Sequence, residues 1–420
     1  MTELKWPSLR RYLDIMFLLG CLVLVADVLG PELFGNGKTK DYRLWYNVGQ
    51  LVLQGKALYV TDGNGIFEYL YPPFPAVLLA LPSYFGKLFL YSLLTLIGII
   101  CWWVSIQFSN AMGGSEDVPD RWVASLPAAL TAVFVFDNFD LGQPTVILLA
   151  LMLYGFWLMR RNANWAAGAM FALATAIKVY PVAVLPYLLW RKQWVTAASM
   201  AAFLGIFLVL VPAPVRGFER NIAELKIWYN GMVGSSSADG YGQRSEQNWS
   251  LVNQSLIAMT HRFVRPVNYN QNDPAQPPRY VNFLNLDYKQ ANGVLLALSA
   301  LIGLAFIWVM PKDSKRTRLS NAAELGILFC LMTVASPLAR EYYFMWLMFP
   351  LTVLVQRAAY DPRRNARIGT WAVIAVTMTL LALSFPIFST WFQAAGNNFF
   401  ATALLAVALG WHIVHEPRAA

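Results

Sequence analysis

The feature that most constrains this chain is the repetition of long apolar runs. Stretches at 12–30, 88–108, 121–136, 144–159, 195–213, 291–310, 320–337, 343–356, 368–385 and 397–414 carry few charges or none. A helix needs about 20 such residues to cross roughly 30 Å of hydrocarbon, and only helices and closed barrels satisfy their backbone polar groups there without water. The apolar share is 57% and the charged share 13%, against about 45–50% and about 25% in soluble proteins. So little charge cannot cover a water-facing surface. The expected fold is therefore an all-α polytopic membrane protein, with 1–420 forming a single integral membrane domain.

Residues 165–190 form a further apolar stretch, interrupted by Lys178, Tyr180 and Pro181 and flanked by Arg160-Arg161 and Arg191-Lys192. Basic flanks at both ends place both ends on one side, so this stretch reads as a hairpin of two short helices. The total becomes about twelve transmembrane helices. The short, Pro-rich segment 72–84 reads as a dip into the membrane from outside.

Net charge is +9, a value that by itself suggests a nucleic-acid partner. Its distribution argues otherwise. With the N-terminus inside, the inner segments hold about 17 Lys and Arg in about 59 residues, the outer loops about 13 in about 142. Membrane proteins concentrate Lys and Arg on the cytoplasmic side, so orientation accounts for the charge. Both termini are expected in the cytoplasm, the first span is expected to be a retained anchor, and membrane lipids surround the chain. A bacterial cytoplasmic (inner) membrane is the simplest host.

Cys21, Cys101 and Cys330 each lie inside an apolar run, with no paired spacing and no neighbouring His. They read as small buried hydrophobes. The only histidines are His261, His412 and His415, so no zinc site is expected. No P-loop, nucleophile elbow or HExxH stands in a supporting context.

Outer material is concentrated in two loops, 31–72 and 214–290. The first contains Asp41, followed by an amphipathic pattern: Leu44, Trp45, Val48, Leu51 and Val52 on one face, Arg43, Asn47, Gln50 and Gln54 on the other. This reads as a helix lying in the membrane interface. Asp41 is then a helix N-cap, a general base at the outer surface, or both.

Lys178 lies 17 residues beyond Arg161, about 25 Å of helix, near the level of the outer lipid phosphates. Either it snorkels to water or it binds a phosphate. Tyr180-Pro181 ends the helix beside it. The polar turn 137–144 offers Asp140 and Gln143, as solvated groups or as contacts to a polar ligand. The turn after Ser336-Pro337 carries Arg340, suited to gripping a phosphate bidentately or to pairing with Glu341. An amide-rich segment supplies Asn253 and Gln254.

Taken in order, several pieces resemble glycosyltransferase family 87, the polytopic C-type enzymes. They are Asp41-Tyr42, Gly55-Lys56-Ala57-Leu58-Tyr59, Tyr71-Pro72-Pro73-Phe74, Gly142-Gln143-Pro144, Lys178-Val179-Tyr180-Pro181, Asn253-Gln254-Ser255-Leu256 and Ser336-Pro337. The resemblance covers about 40–345. It implies transfer of a hexose, often mannose, from a polyprenyl-phosphate donor to a lipid or glycan acceptor on the extracytoplasmic side. It implies Asp41 as catalytic base and Lys178 near the donor phosphate, with Tyr42, Tyr180 and Tyr342 among the candidate substrate contacts. Tyr342 stands where members similar to the actinobacterial mannosyltransferases often carry His. An inverting transfer needs one base and a stabilised phosphate leaving group, and a monophosphate donor requires neither metal nor other cofactor. A transporter or flippase of an amphipathic substrate is the competing class, since intramembrane charge and many spans suit it too.

Overall fold

The computed structural model describes residues 7–35, 40–60, 67–114, 120–234, 236–237, 240–241, 248–271, 273, 275–385 and 387–416. Parts of both outer loops (36–39, 61–66, 235, 238–239 and 242–247) and both chain ends lie outside the described residues.

The regular structure of the described residues is helical, apart from a two-residue antiparallel pairing of Ser236–Ser237 with Gly240–Tyr241. In order come α1 (Pro7–Phe34), α2 (Lys40–Leu53), α3 (Pro73–Tyr84), α4 (Lys87–Met112), α5 (Arg121–Leu130), α6 (Ala132–Leu141), α7 (Thr145–Arg160) and α8 (Asn164–Ile177). Among the described residues, seven helices are long and apolar enough to cross a membrane, including α1, α4, Tyr288–Val309, Arg318–Ala335, Arg364–Ala382 and Asn397–Val414. An eighth span results if α5 and α6 count as one, bent by 47° at their junction. Pro127 inside α5 has no N–H for the helix ladder, and Thr131 Oγ1 donates back to Pro127 O at 2.9 Å. Both effects bend helices.

The remaining apolar runs form shorter or broken helices. The run expected at 343–356 opens as a 3₁₀ turn, Glu341–Leu347, before the α-helix Met348–Tyr360. Tyr342 through Ala358 are all buried, around the fully enclosed Trp346. In the 165–190 stretch, α8 stops at Ile177, and Tyr180–Ala183 and Val184–Trp190 follow. Ser199 Oγ donates to Trp165 O at 2.7 Å, and a Cβ at Gly168 would lie 2.6 Å from Thr196 O. The beginnings of α8 and of the next helix, Trp194–Gly205, therefore lie side by side. Residues 178–193 must carry the chain back to the level at which α8 began, leaving Lys178 at the far end.

The two long loops, 31–72 and 214–290, clasp each other. Arg216 and Arg220 converge on the buried Glu224 carboxylate and also donate to Lys56 O (2.8 Å) and Gly55 O (2.7 Å). Trp228 Nε1 reaches Leu70 O at 3.1 Å. At the opposite end of the bundle, the fully buried Glu324 accepts from Tyr187 Oη and Arg191 Nε, both at 2.8 Å, while Arg191 also holds Asp313 at 2.9 Å. Neither carboxylate is left unpaired, as low-dielectric surroundings require.

Candidate active site

The site forms where α2, the α6–α7 turn, the end of α8 and the turn after Pro337 meet. The start of α2 is set by packing. Its buried face is Tyr42, Trp45, Val48, Gly49 and Val52, rotated from the face expected through Leu44 and Leu51. The helix docks on protein: a Cβ at Gly49 would lie 2.7 Å from Leu79 O, and Gln50 Nε2 donates to Ser83 O at 2.8 Å. Asp41 sits inside the first turn rather than at the cap, because the helix begins at Lys40.

Gly142 ends α6 in the left-handed conformation, φ +70°. Its carbonyl accepts from Trp45 Nε1 at 2.7 Å, and a Cβ here would sit 2.8 Å from Tyr42 Cδ2 and 2.9 Å from Tyr42 N. Only glycine meets both demands without strain. Gln143 N then closes onto Asn138 O at 2.8 Å, and Pro144 leads into α7.

From this fixed turn the Gln143 side chain joins three segments. Its Oε1 accepts from Lys178 Nζ at 2.9 Å and from Tyr71 Oη at 3.1 Å. Its Nε2 donates to Asp41 Oδ2. Burial first, then the Asp41 charge, push the Tyr71 phenol well above its usual value, so it remains a neutral donor.

Lys178 occupies the C-cap of α8 in extended conformation, since Pro181 prevents the helix from continuing. Its ammonium lies over three rings, 4.9 Å from the Tyr343 centroid, 5.1 Å from Tyr342 and 5.5 Å from Tyr71. Cation–π contacts of this kind contribute about 0.5–2 kcal/mol. Tyr180 closes the cage from behind, its ring 4.9 Å from Tyr343 and 5.0 Å from Trp346, with a buried hydroxyl that has no hydrogen-bond partner among the described residues.

The other expected residues take different places. Tyr42 is buried against Tyr91, their centroids 5.4 Å apart, and serves the docking of α2. Asp140 pairs with Lys40 near the surface. The Arg340 charge acts on both the Asp137 and Glu341 carboxyls, and the Tyr342 backbone N–H faces Asp137. Burial, reinforced by Asp137 and opposed by Arg340, pushes the Glu341 carboxyl up to about 7.

Asn253 and Gln254 act as a clasp. Asn253 Nδ2 donates to Asn248 O and Pro337 O, both at 2.9 Å, while its Oδ1 accepts from Ala339 N at 3.0 Å. Gln254 N donates to Ala339 O at 2.8 Å, and its Nε2 to Leu251 O and Gln393 O, both at 2.7 Å. They hold the turn that presents Arg340, Tyr342 and Tyr343. Sequence reasoning singled out neither Tyr71 nor Tyr343 as site residues. Tyr71 opens a quoted motif, whereas Tyr343 had no signal beyond adjacency to Tyr342.

The sequence profile of glycosyltransferase family 87 matches residues 69–337 of this chain. The chain belongs to glycosyltransferase family 87. It is a membrane glycosyltransferase. Three similar proteins are mannosyltransferases dependent on polyprenol-phosphate-mannose. An α-(1-2)-phosphatidylinositol mannoside mannosyltransferase of Mycobacterium tuberculosis is 22% identical over 80% of this chain and 72% of its own length. The protein of that name from Mycolicibacterium smegmatis is 22% identical over 85% and 78%. A phosphatidylinositol pentamannoside mannosyltransferase from the same organism is 24% identical over 82% and 76%.

Proposed function

We propose that this family 87 enzyme transfers mannose, with inversion, from a polyprenyl-phosphate carrier to a lipid-anchored mannoside at the extracytoplasmic face of a bacterial inner membrane. The concentration of Lys and Arg in the segments away from the site supports a topology with both termini inside and the site on that face. The observation that carries the reading is the bridge from Lys178 through Gln143 to Asp41.

In this mechanism the acceptor hydroxyl oxygen attacks the anomeric carbon as Asp41 takes its proton. The bond from that carbon to the phosphate oxygen breaks on the opposite face, and the electron pair leaves with the polyprenyl phosphate. Lys178 offsets the charge that builds there, which is the kind of stabilisation that contributes most when preorganised. Arg340 is a second cation at the same mouth. The tyrosine cage supplies apolar faces for a sugar ring beside the ammonium. The printed names of the relatives favour a phosphatidylinositol mannoside as the acceptor class.

The test is transfer of labelled mannose from polyprenyl-phosphate-mannose by purified protein in detergent. Asp41→Asn is expected to lower kcat by roughly a hundredfold or more, and Lys178→Ala to weaken donor binding. Near-normal transfer by Asp41→Asn removes it as the base. Unchanged donor affinity in Lys178→Ala removes its phosphate role.

A further inference from the structure

The geometry points to Gln143 as a positioning residue of the sugar transfer: one side-chain amide holds the base and the phosphate-binding cation at a fixed spacing and keeps them from pairing directly. This rests on the proposed roles of Asp41 and Lys178, and it assigns Gln143 a task other than contacting the substrate.

The orientation of the amide is decided by its neighbours. Two donors, Lys178 Nζ and Tyr71 Oη, converge on one end, and a carboxylate oxygen meets the other. Flipping the amide would set its NH₂ against an ammonium and a phenol, and its oxygen against a carboxylate. Only the orientation with Nε2 on Asp41 satisfies all three. The backbone beneath it has little freedom either. The left-handed Gly142 precedes Gln143, Pro144 follows, and the Gln143 N–H is bonded to Asn138 O.

Two consequences follow for chemistry. Two hydrogen bonds and the width of an amide put the ammonium and the carboxylate roughly 7 Å apart. That suits a base and a leaving-group partner on opposite sides of one reacting carbon. Without the spacer, Lys178 and Asp41 would attract each other into an ion pair in partly buried surroundings, occupying the two groups the reaction uses. Second, an amide N–H donated to the carboxylate favours its ionised form. The base therefore stays ready to accept a proton, and Lys178 strengthens that donor by polarising the amide.

The test uses the full chain in detergent, assayed for transfer from polyprenyl-phosphate-mannose between about pH 4.5 and pH 9. Gln143→Leu is expected to lower kcat by roughly tenfold to a hundredfold, by more than it raises the donor KM, and to move the acidic limb of the profile to higher pH. Gln143→Glu is isosteric. Ionised, the new carboxyl pairs with Lys178 and repels Asp41; protonated, it donates to Asp41 as the amide does. Its activity, relative to wild type, should recover as pH falls. Profiles with the wild-type shape in both variants, or a loss confined to donor KM, overturn the positioning role. If Gln143→Leu does not fold, the isosteric variant decides alone. Active wild type with inactive Asp41→Asn, alongside unaffected Gln143 variants, refutes this inference alone; an active Asp41→Asn refutes the underlying reading and the positioning role with it.

Discussion

Replacing Gly142 with alanine tests how strictly the α6–α7 turn sets the site. The glycine has φ +70°, and its missing side chain faces Tyr42 Cδ2 at 2.8 Å and Tyr42 N at 2.9 Å. A left-handed alanine costs about 1–2 kcal/mol. The steric term adds about 1–3 kcal/mol, because one of the two atoms is backbone and cannot rotate away. Gly142→Ala should therefore cost about 2–5 kcal/mol at the α2 contact. Relief comes most easily by lifting the start of α2, which lengthens the Trp45 bond to Gly142 O and takes Asp41 away from Gln143. The assay pairs mannosyl transfer with thermal unfolding in detergent. A large fall in kcat with a smaller loss of unfolding temperature is expected, since α2 can lift without opening the bundle. Gly142→Asn separates the two terms: asparagine tolerates the left-handed region yet carries the same Cβ, so it should remain impaired. Wild-type turnover in Gly142→Ala would refute the claim that this close approach positions Asp41.

Asn253→Ala should destabilise by about 1–3 kcal/mol, because it removes the buried acceptor of Ala339 N, while Pro337 O keeps Ser255 Oγ at 3.1 Å; thermal unfolding measures it, and an unchanged midpoint would show that the clasp does not hold the turn. Glu341 has a raised folded-state value, about 7 against 4.5, so the folded protein holds this proton more tightly than the unfolded chain. Its contribution is most favourable below about pH 4.5 and is lost as pH rises through about 7. Glu341→Gln, which retains an acceptor for Gln393 Nε2, should flatten stability over that window and exceed wild type above it. Parallel stability–pH curves for the two proteins would contradict this.

Some of the site was legible because local chemistry announces itself. A lysine followed by Tyr-Pro in an apolar run marks a helix end with a charge on it, and the structure places Lys178 at the C-cap of α8. The interfacial amphipathic pattern identified α2 but misplaced its buried face, since periodicity cannot reveal that Gly49 packs against Leu79 and Ser83. Asn253 and Gln254 looked like ligand contacts because a sequence lists donors and acceptors without saying which are already used. Their partners include backbone groups more than 80 residues away. The run at 343–356 read as one span, yet it begins as a 3₁₀ turn whose rings, Tyr342 and Tyr343, lie over Lys178.

By itself the sequence determined the solvent of this protein. Apolar runs that long leave backbone groups satisfied only inside helices, and the placement of Lys and Arg implies an orientation. It also supplied the chemical types at the candidate site: a carboxylate, an ammonium, amides and phenols. Only the tertiary structure decided which of these meet. Asp41 and Gln143 are 102 residues apart in sequence, and Gln143 and Lys178 are 35. Periodicity and propensity act over a few turns of helix, whereas these contacts depend on how α2, the α6–α7 turn and the end of α8 pack together.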